Sequence, residues 1–165
     1  MLLNICVIDA LARAAGTRYS TFDVVGAGPR VVAGIAEKYG QTAFYTYEDA
    51  IKRVSRLLSY DVLMISAMSS DYGAVKKLLT TARSRGFRGK IIIGGPISFE
   101  YSKLLSNLPI DYVIVGEGEI PLTKLLSMLS TNSIKISEIP AIAYVEEGVV
   151  KVTSGHIYTP EEELN

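Results

Sequence analysis

Two glycine-rich turns carry the strongest chemical signal in this chain. Ile91-Ile92-Ile93 runs into Gly94-Gly95-Pro96, and Val113-Ile114-Val115 runs into Gly116-Glu117-Gly118-Glu119. Glycine leaves no Cβ in the way of a ligand and tolerates positive φ, so two such turns form a bare backbone edge that a broad, flat molecule can approach. Turn geometry alone would also explain glycine at these places. Glu117 could hydrogen-bond a ligand amide or hydroxyl. Glu119 falls in the first turn of the next helix, where a carboxylate complements the dipole, and capping is the preferred reading for it. Acids at this helix start disfavour a phosphate there. Ser66-Ala67-Met68-Ser69-Ser70 ends another apolar run, Asp61–Ile65, and its hydroxyls could meet a buried nitrogen or oxygen. Ser66 directly continues the run and is the stronger candidate, whereas Ser69 or Ser70 could simply cap a helix. Gly26-Ala27-Gly28-Pro29 could wrap a ligand edge, and Thr17, Arg18 and Tyr19 could contact polar substituents; an ordinary surface loop is the alternative.

Catalytic constellations are missing. His156 is the only histidine and lies far along the chain from every strand end, so neither a Ser–His–Asp set nor an HExxH pair can be assembled. A phosphoacceptor site of the receiver type needs paired acids after the first strand and a lysine after the fifth; Asp9 stands alone and Gly116 follows the fifth. Asp61 reads as a strand opener. There is no Walker sequence. Cys6, the single cysteine, sits in an apolar run and reads as a small buried hydrophobe. One thiol excludes an internal disulfide framework and any iron–sulfur cluster held by several cysteines of this chain. Enzymatic activity of the chain on its own is not expected.

The elements that would position these turns alternate. Leu3–Ile8 reads as a first buried strand, followed by the long connection Ala10–Gly28. Pro29 suits the first turn of a helix whose face is Val31, Val32, Ile35 and Ala36, with Gly40 placed to end it. Thr42–Tyr47 reads as the second strand. Ala50, Ile51, Val54 and Leu58 mark one helix; Val75, Leu78, Leu79 and Ala82 mark another after the third strand. Leu122, Leu125, Leu126 and Leu129 mark the last. Short apolar strands alternating with amphipathic helices imply a parallel sheet covered on both faces. The expected fold is α/β: a doubly wound, five-stranded parallel sheet, flavodoxin-like or Rossmann-like, followed by a C-terminal β-hairpin. Ligands of such sheets bind at the carboxyl ends of the strands.

The organisation expected is an α/β unit over residues 1–132, a hairpin extension over 133–153 (Ala141–Val145 and Val149–Thr153 around Glu146-Glu147-Gly148), and a polar tail or linker over 154–165 that points toward a further domain. The chain has 165 residues, 48% hydrophobic, enough for a sizeable core. Its 17 basic and 17 acidic residues cancel and form no basic tract, which argues against nucleic acid. Apolar runs are strand-sized, too short for a membrane span, and residues 1–8 lack the basic start of a signal peptide. The cytoplasm is the default compartment.

With these pieces in place, the chain resembles the N-terminal cobalamin (vitamin B12)-binding domain of cobalamin-dependent radical S-adenosylmethionine enzymes. The resemblance rests on Gly28-Pro29 leading to Ala36-Glu37-Lys38-Tyr39-Gly40, on Asp61-Val62-Leu63-Met64-Ile65-Ser66, on Ile92-Ile93-Gly94-Gly95-Pro96, and on Asp111-Tyr112-Val113-Ile114-Val115-Gly116-Glu117-Gly118-Glu119. The hairpin over Ile142–Val152 resembles the segment that bridges to the radical domain. In all it covers about residues 1–155. It implies a corrin above the carboxyl edge of the sheet, with its nucleotide tail in a slot beside the strands. By that implication the cofactor-binding residues are Ser66, Met68 and Ser69, Gly94, Gly95 and Pro96, Gly116, Glu117 and Gly118, together with Gly28. Two departures matter. The Asp-x-His-x-x-Gly sequence that supplies a lower cobalt ligand in mutase relatives is replaced by Asp9-Ala10-Leu11, so a base-off cobalamin without a histidine ligand is expected. The three-cysteine motif of the radical domain is absent, so a radical S-adenosylmethionine domain in cis or in trans is the expected partner. The rival expectations are a cofactor-free interaction or scaffolding module that keeps the fold, and a flavodoxin-like binder of another small molecule.

Overall fold

The computed structural model describes residues 2–11 and 27–155. In chain order the elements are β1 (Leu3–Asp9), α1 (Ala27–Ala36), β2 (Gly40–Thr46), α2 (Tyr47–Lys52), α3 (Val54–Leu57), β3 (Val62–Ser66), α4 (Tyr72–Ser84), β4 (Lys90–Gly94), α5 (Tyr101–Asn107), β5 (Tyr112–Ile114), α6 (Glu119–Thr131), β6 (Ile142–Glu146) and β7 (Val149–Val152). They form one sheet in the order β2-β1-β3-β4-β5-β6-β7. The first five strands run parallel, and β6 and β7 are antiparallel additions.

The alternation of side chains across the strands sorts the core into two layers. Cys6, Ile8, Leu63, Ile65, Ile91, Ile93 and Val113 pack on one face beneath α2, α3, α4 and α5. Leu3, Ile5, Val7, Val62, Met64, Ile92 and Ile114 face the other way, toward α1 and α6. Both faces are apolar, so the strands read as continuous hydrophobic runs.

Three expectations need correction. The sheet is seven-stranded and mixed, not a five-stranded parallel sheet with a separate hairpin. The hairpin pairs with β5 through Val113↔Ala143 and Ile114↔Ile142, covering an edge that would otherwise expose unpaired backbone. Ala141 turns the chain at φ +52, and its carbonyl accepts the Val115 N–H. Gly40 does not end α1, which stops at Ala36; it opens β2, where a Cβ would collide with the Leu3 carbonyl. The single helix expected over Ala50–Leu58 is two short helices broken at Arg53, so that Tyr47 and Ala50 of the first and Val54 and Leu57 of the second all reach the core. The expected contacts of Thr17, Arg18, Tyr19 and Gly26, the histidine His156 and the tail from residue 156 lie outside the described residues.

Candidate functional site

The α2–α5 face of the sheet is closed along its whole length, but the α1/α6 face opens near the carboxyl ends of the strands. There a cavity of about 390 Å³ lies between the two helices. Its floor is built from alternate residues of three neighbouring strands. Met64 and Ile92, which are register partners, form the lower layer; Ser66, its partner Gly94, and Ile114 form the upper one. Two residues of strand separate the layers, about 7 Å at 3.3 Å per residue. Val32 and Ile35 of α1 make one wall and Leu122 of α6 the other. The turns Gly94–Pro96 and Gly116–Glu119 form the mouth, joined by Leu11 and Gly28.

The glycines of the mouth have different reasons to be glycine. Gly95 sits at φ +91, and a Cβ there would stand 2.8 Å from the Ala67 carbonyl oxygen, which also accepts the Ile97 N–H. Gly116 sits at φ +80, and its N–H is held by Ser98 Oγ at 3.1 Å, from a side chain wholly buried under the turn. Both are fixed by the turn itself. Gly94 is not. It is the last residue of β4, and a Cβ would meet nothing nearer than Ile114 Cβ at 4.0 Å. Gly118 likewise would make only an ordinary contact, 3.5 Å from Ile114 Cγ2. Among the described residues, the packing around Gly94 and Gly118 would accept a side chain.

Ser66 is 8% exposed and continues β3 into the cavity. Its carbonyl accepts the Ala10 N–H, but its hydroxyl has no hydrogen-bond partner among the described residues. A hydroxyl on the lining of an open cavity can donate to or accept from a ligand that enters it.

Of the residues singled out from sequence, Ser66, Gly94, Gly95, Pro96, Gly116, Glu117, Gly118 and Gly28 lie together around this cavity. Met68 and Ser69 do not. The Met68 N–H is held by Asp71 Oδ2 at 2.8 Å, and Met68 lies exposed outside the slot. Ser69 opens a short turn over Ser69–Asp71, and its hydroxyl hydrogen-bonds the Glu100 carboxylate, holding that carboxyl below its usual range, with Lys103 adding to the effect. Sequence reasoning missed the helical wall. Val32 and Ile35 belong to the apolar face expected of this helix, yet both are only half-buried, and their neighbour Val31 is exposed. An apolar helical stripe looks the same in sequence whether it meets a packed core or an open slot.

The chemistry available here is recognition. Burial pushes the Cys6 thiol up to about 12, beneath the opposite face of the sheet. Among the described residues, no three His, Cys, Asp or Glu side chains come together as a metal cluster, and no helix is long and apolar enough to cross a membrane.

Comparison with known proteins agrees with this geometry. The family model for the B12 binding domain matches residues 3–126. An uncharacterized protein of Methanocaldococcus jannaschii is 40% identical over 120 residues, which cover 73% of this chain and 23% of that protein. An uncharacterized protein of Methanopyrus kandleri is 35% identical over 127 residues, covering 76% and 24%. The chain thus spans about a quarter of the length of the curated relatives it matches. Among solved structures, the cobalamin-dependent S-adenosylmethionine radical enzyme OxsB with aqua-cobalamin bound aligns at a TM-score of 0.71 and 19% identity, over 94% of this chain and 22% of that one. The radical S-adenosylmethionine methyltransferase TsrM of Kitasatospora setae, with cobalamin and a [4Fe-4S] cluster bound, aligns at 0.72 and 14%, over 98% and 30%. At these identities the structural likeness establishes the fold.

Proposed function

Because this chain belongs to the B12-binding domain family, we propose that it is the cobalamin-holding module of a radical S-adenosylmethionine enzyme system. The corrin would lie across the carboxyl edge of the sheet, with the nucleotide tail entering the slot between α1 and α6. The observation that carries this reading is the space over Gly94, where among the described residues a Cβ would meet only Ile114 Cβ, at 4.0 Å, and where φ does not call for glycine. The Ser66 hydroxyl on the lining and the apolar walls fit the same ligand, whose corrin is flat and edged with amides and whose tail ends in an aromatic base.

When bound, cobalamin would supply a cobalt centre able to carry a methyl group or support a radical rearrangement. The residues of this chain bind and orient. Gly94, Gly95 and Gly116 keep the strand edge bare, Ser98 fixes the second turn from beneath, and Val32, Ile35 and Leu122 keep water from the tail. Leu11 stands where histidine-ligating relatives carry their lower ligand, and it borders the mouth with an apolar side chain. A cobalamin held here would be base-off, without a histidine from this position as its ligand. Iron–sulfur chemistry would come from a radical domain joined to this stretch or paired with it, since Cys6 is the only thiol and is buried.

Titration of the purified protein with hydroxocobalamin and with methylcobalamin, followed by absorbance and calorimetry, tests the reading. Saturable 1:1 binding of at least one form is expected. Failure of well-folded protein to bind either would overturn it and favour a cofactor-free interaction module on the same fold.

A further inference from the structure

The slot's two layers differ in polarity. Among its described lining residues the only polar side chains are Ser66, Glu117 and Glu119, and all three sit at a strand end or in the turn above. Beneath them lie Met64, Ile92, Ile35 and Leu122. The backbone at that level is paired in the sheet, with Met64 against Ile92, so it offers no free donor or acceptor. Depth is limited as well. Below this layer Ala36, Leu125 and Leu126 are wholly buried, and the chain leaving α1 is tied to α6 by Tyr39 Oη and Ser127 Oγ at 3.0 Å. A planar two-ring group can occupy a space of this depth. Benzimidazole brings one free ring nitrogen; a purine brings further ring nitrogens and an exocyclic amine, which at this level would find no partner among the described residues, and a buried polar group left unpaired is unfavourable.

Resting on the cobalamin reading above, we propose that this slot selects the lower base of the corrinoid, favouring an apolar benzimidazole over a purine. Methyl groups on the benzimidazole would extend the contact with Met64 and Ile92, whereas the amine of adenine would meet the same side chains. Ser66 sits one layer above them and offers a single hydroxyl.

The test compares three ligands on the unmodified protein by calorimetry and absorbance: cobalamin, its analogue with adenine as lower base, and cobinamide, which lacks the nucleotide tail. Cobalamin should bind at least tenfold more tightly than the adenine analogue, and cobinamide should bind most weakly. Equal affinity for cobalamin and the adenine analogue, both above cobinamide, would overturn the selectivity while leaving cobalamin binding intact. Cobinamide binding as tightly as cobalamin would overturn the role of the slot. Absence of binding by all three would overturn this proposal together with the reading beneath it.

Discussion

The two faces of the sheet are built from the same kind of residue and end differently. On the α2–α5 side, Leu63, Ile91 and Ile93 are covered from one end of the strands to the other. On the α1/α6 side, Ile5, Val62 and Met64 are buried just as deeply, but at Ser66 and Gly94 the helices no longer meet over the strands. A closed face answers to packing, so its residues should report on stability. An open face with unused room should report on ligand binding. Substitutions on the two sides can therefore separate folding from function.

The largest effect is expected on the closed side. Leu63→Ala removes a fully buried side chain and should lower unfolding free energy by about 2–5 kcal/mol, read from urea denaturation. A loss below 1 kcal/mol would mean that this face is not tightly packed. On the open side, Gly94→Val should leave stability within about 1 kcal/mol of the unmodified protein, because its Cβ meets only Ile114 at 4.0 Å. The same variant should weaken cobalamin roughly 100-fold, about 2.7 kcal/mol, since each tenfold is 1.4 kcal/mol. Unchanged affinity would place the cofactor elsewhere.

The neighbouring glycine sharpens the contrast. Gly95→Ala forces a side chain into φ +91 and against the Ala67 carbonyl, so it should cost stability, by about 1–3 kcal/mol. Gly94 and Gly95 are adjacent and chemically identical, yet denaturation should respond to one and titration with cobalamin chiefly to the other.

A pH scan probes the closed face again. The Cys6 thiol is raised by burial from 9.0 to about 12, so the native state holds its proton where the unfolded chain releases it. Stability contributed by this group is complete below pH 9 and declines as pH rises from 9 toward 12; Cys6→Ala should flatten that part of the curve. The smallest effect belongs to the foot of the slot. Tyr39→Phe removes the hydroxyl contact with Ser127 and should cost about 0.5–1.5 kcal/mol, measured by thermal unfolding.

The contrast also shows what could be read from sequence. Strand positions were legible because runs such as Val62–Ile65 and Ile91–Ile93 are apolar throughout and end in turn residues. The mouth was legible because glycine is scarce in strands, and two of them at consecutive strand ends need a reason. Which glycine the turn itself requires was not, because the difference is the positive φ at Gly95 and the room for a Cβ at Gly94 among the described residues. The resemblance adds Met68 and Ser69 to the site; in the fold Asp71 and Glu100 hold them outside the cavity lining, through contacts that depend on tertiary placement. Edge pairing of β6 with β5 was hidden for a similar reason: Val149–Val152 reads as a hairpin strand whether or not β6 joins the larger sheet.

A crystal structure of the protein with hydroxocobalamin would locate the cofactor directly. The nucleotide base should lie between α1 and α6, in van der Waals contact with the Gly94 backbone and with Leu122, and the corrin over Gly95 and Gly116. A corrin bound away from the carboxyl edge, or one bound there with the slot filled only by water, would contradict this placement.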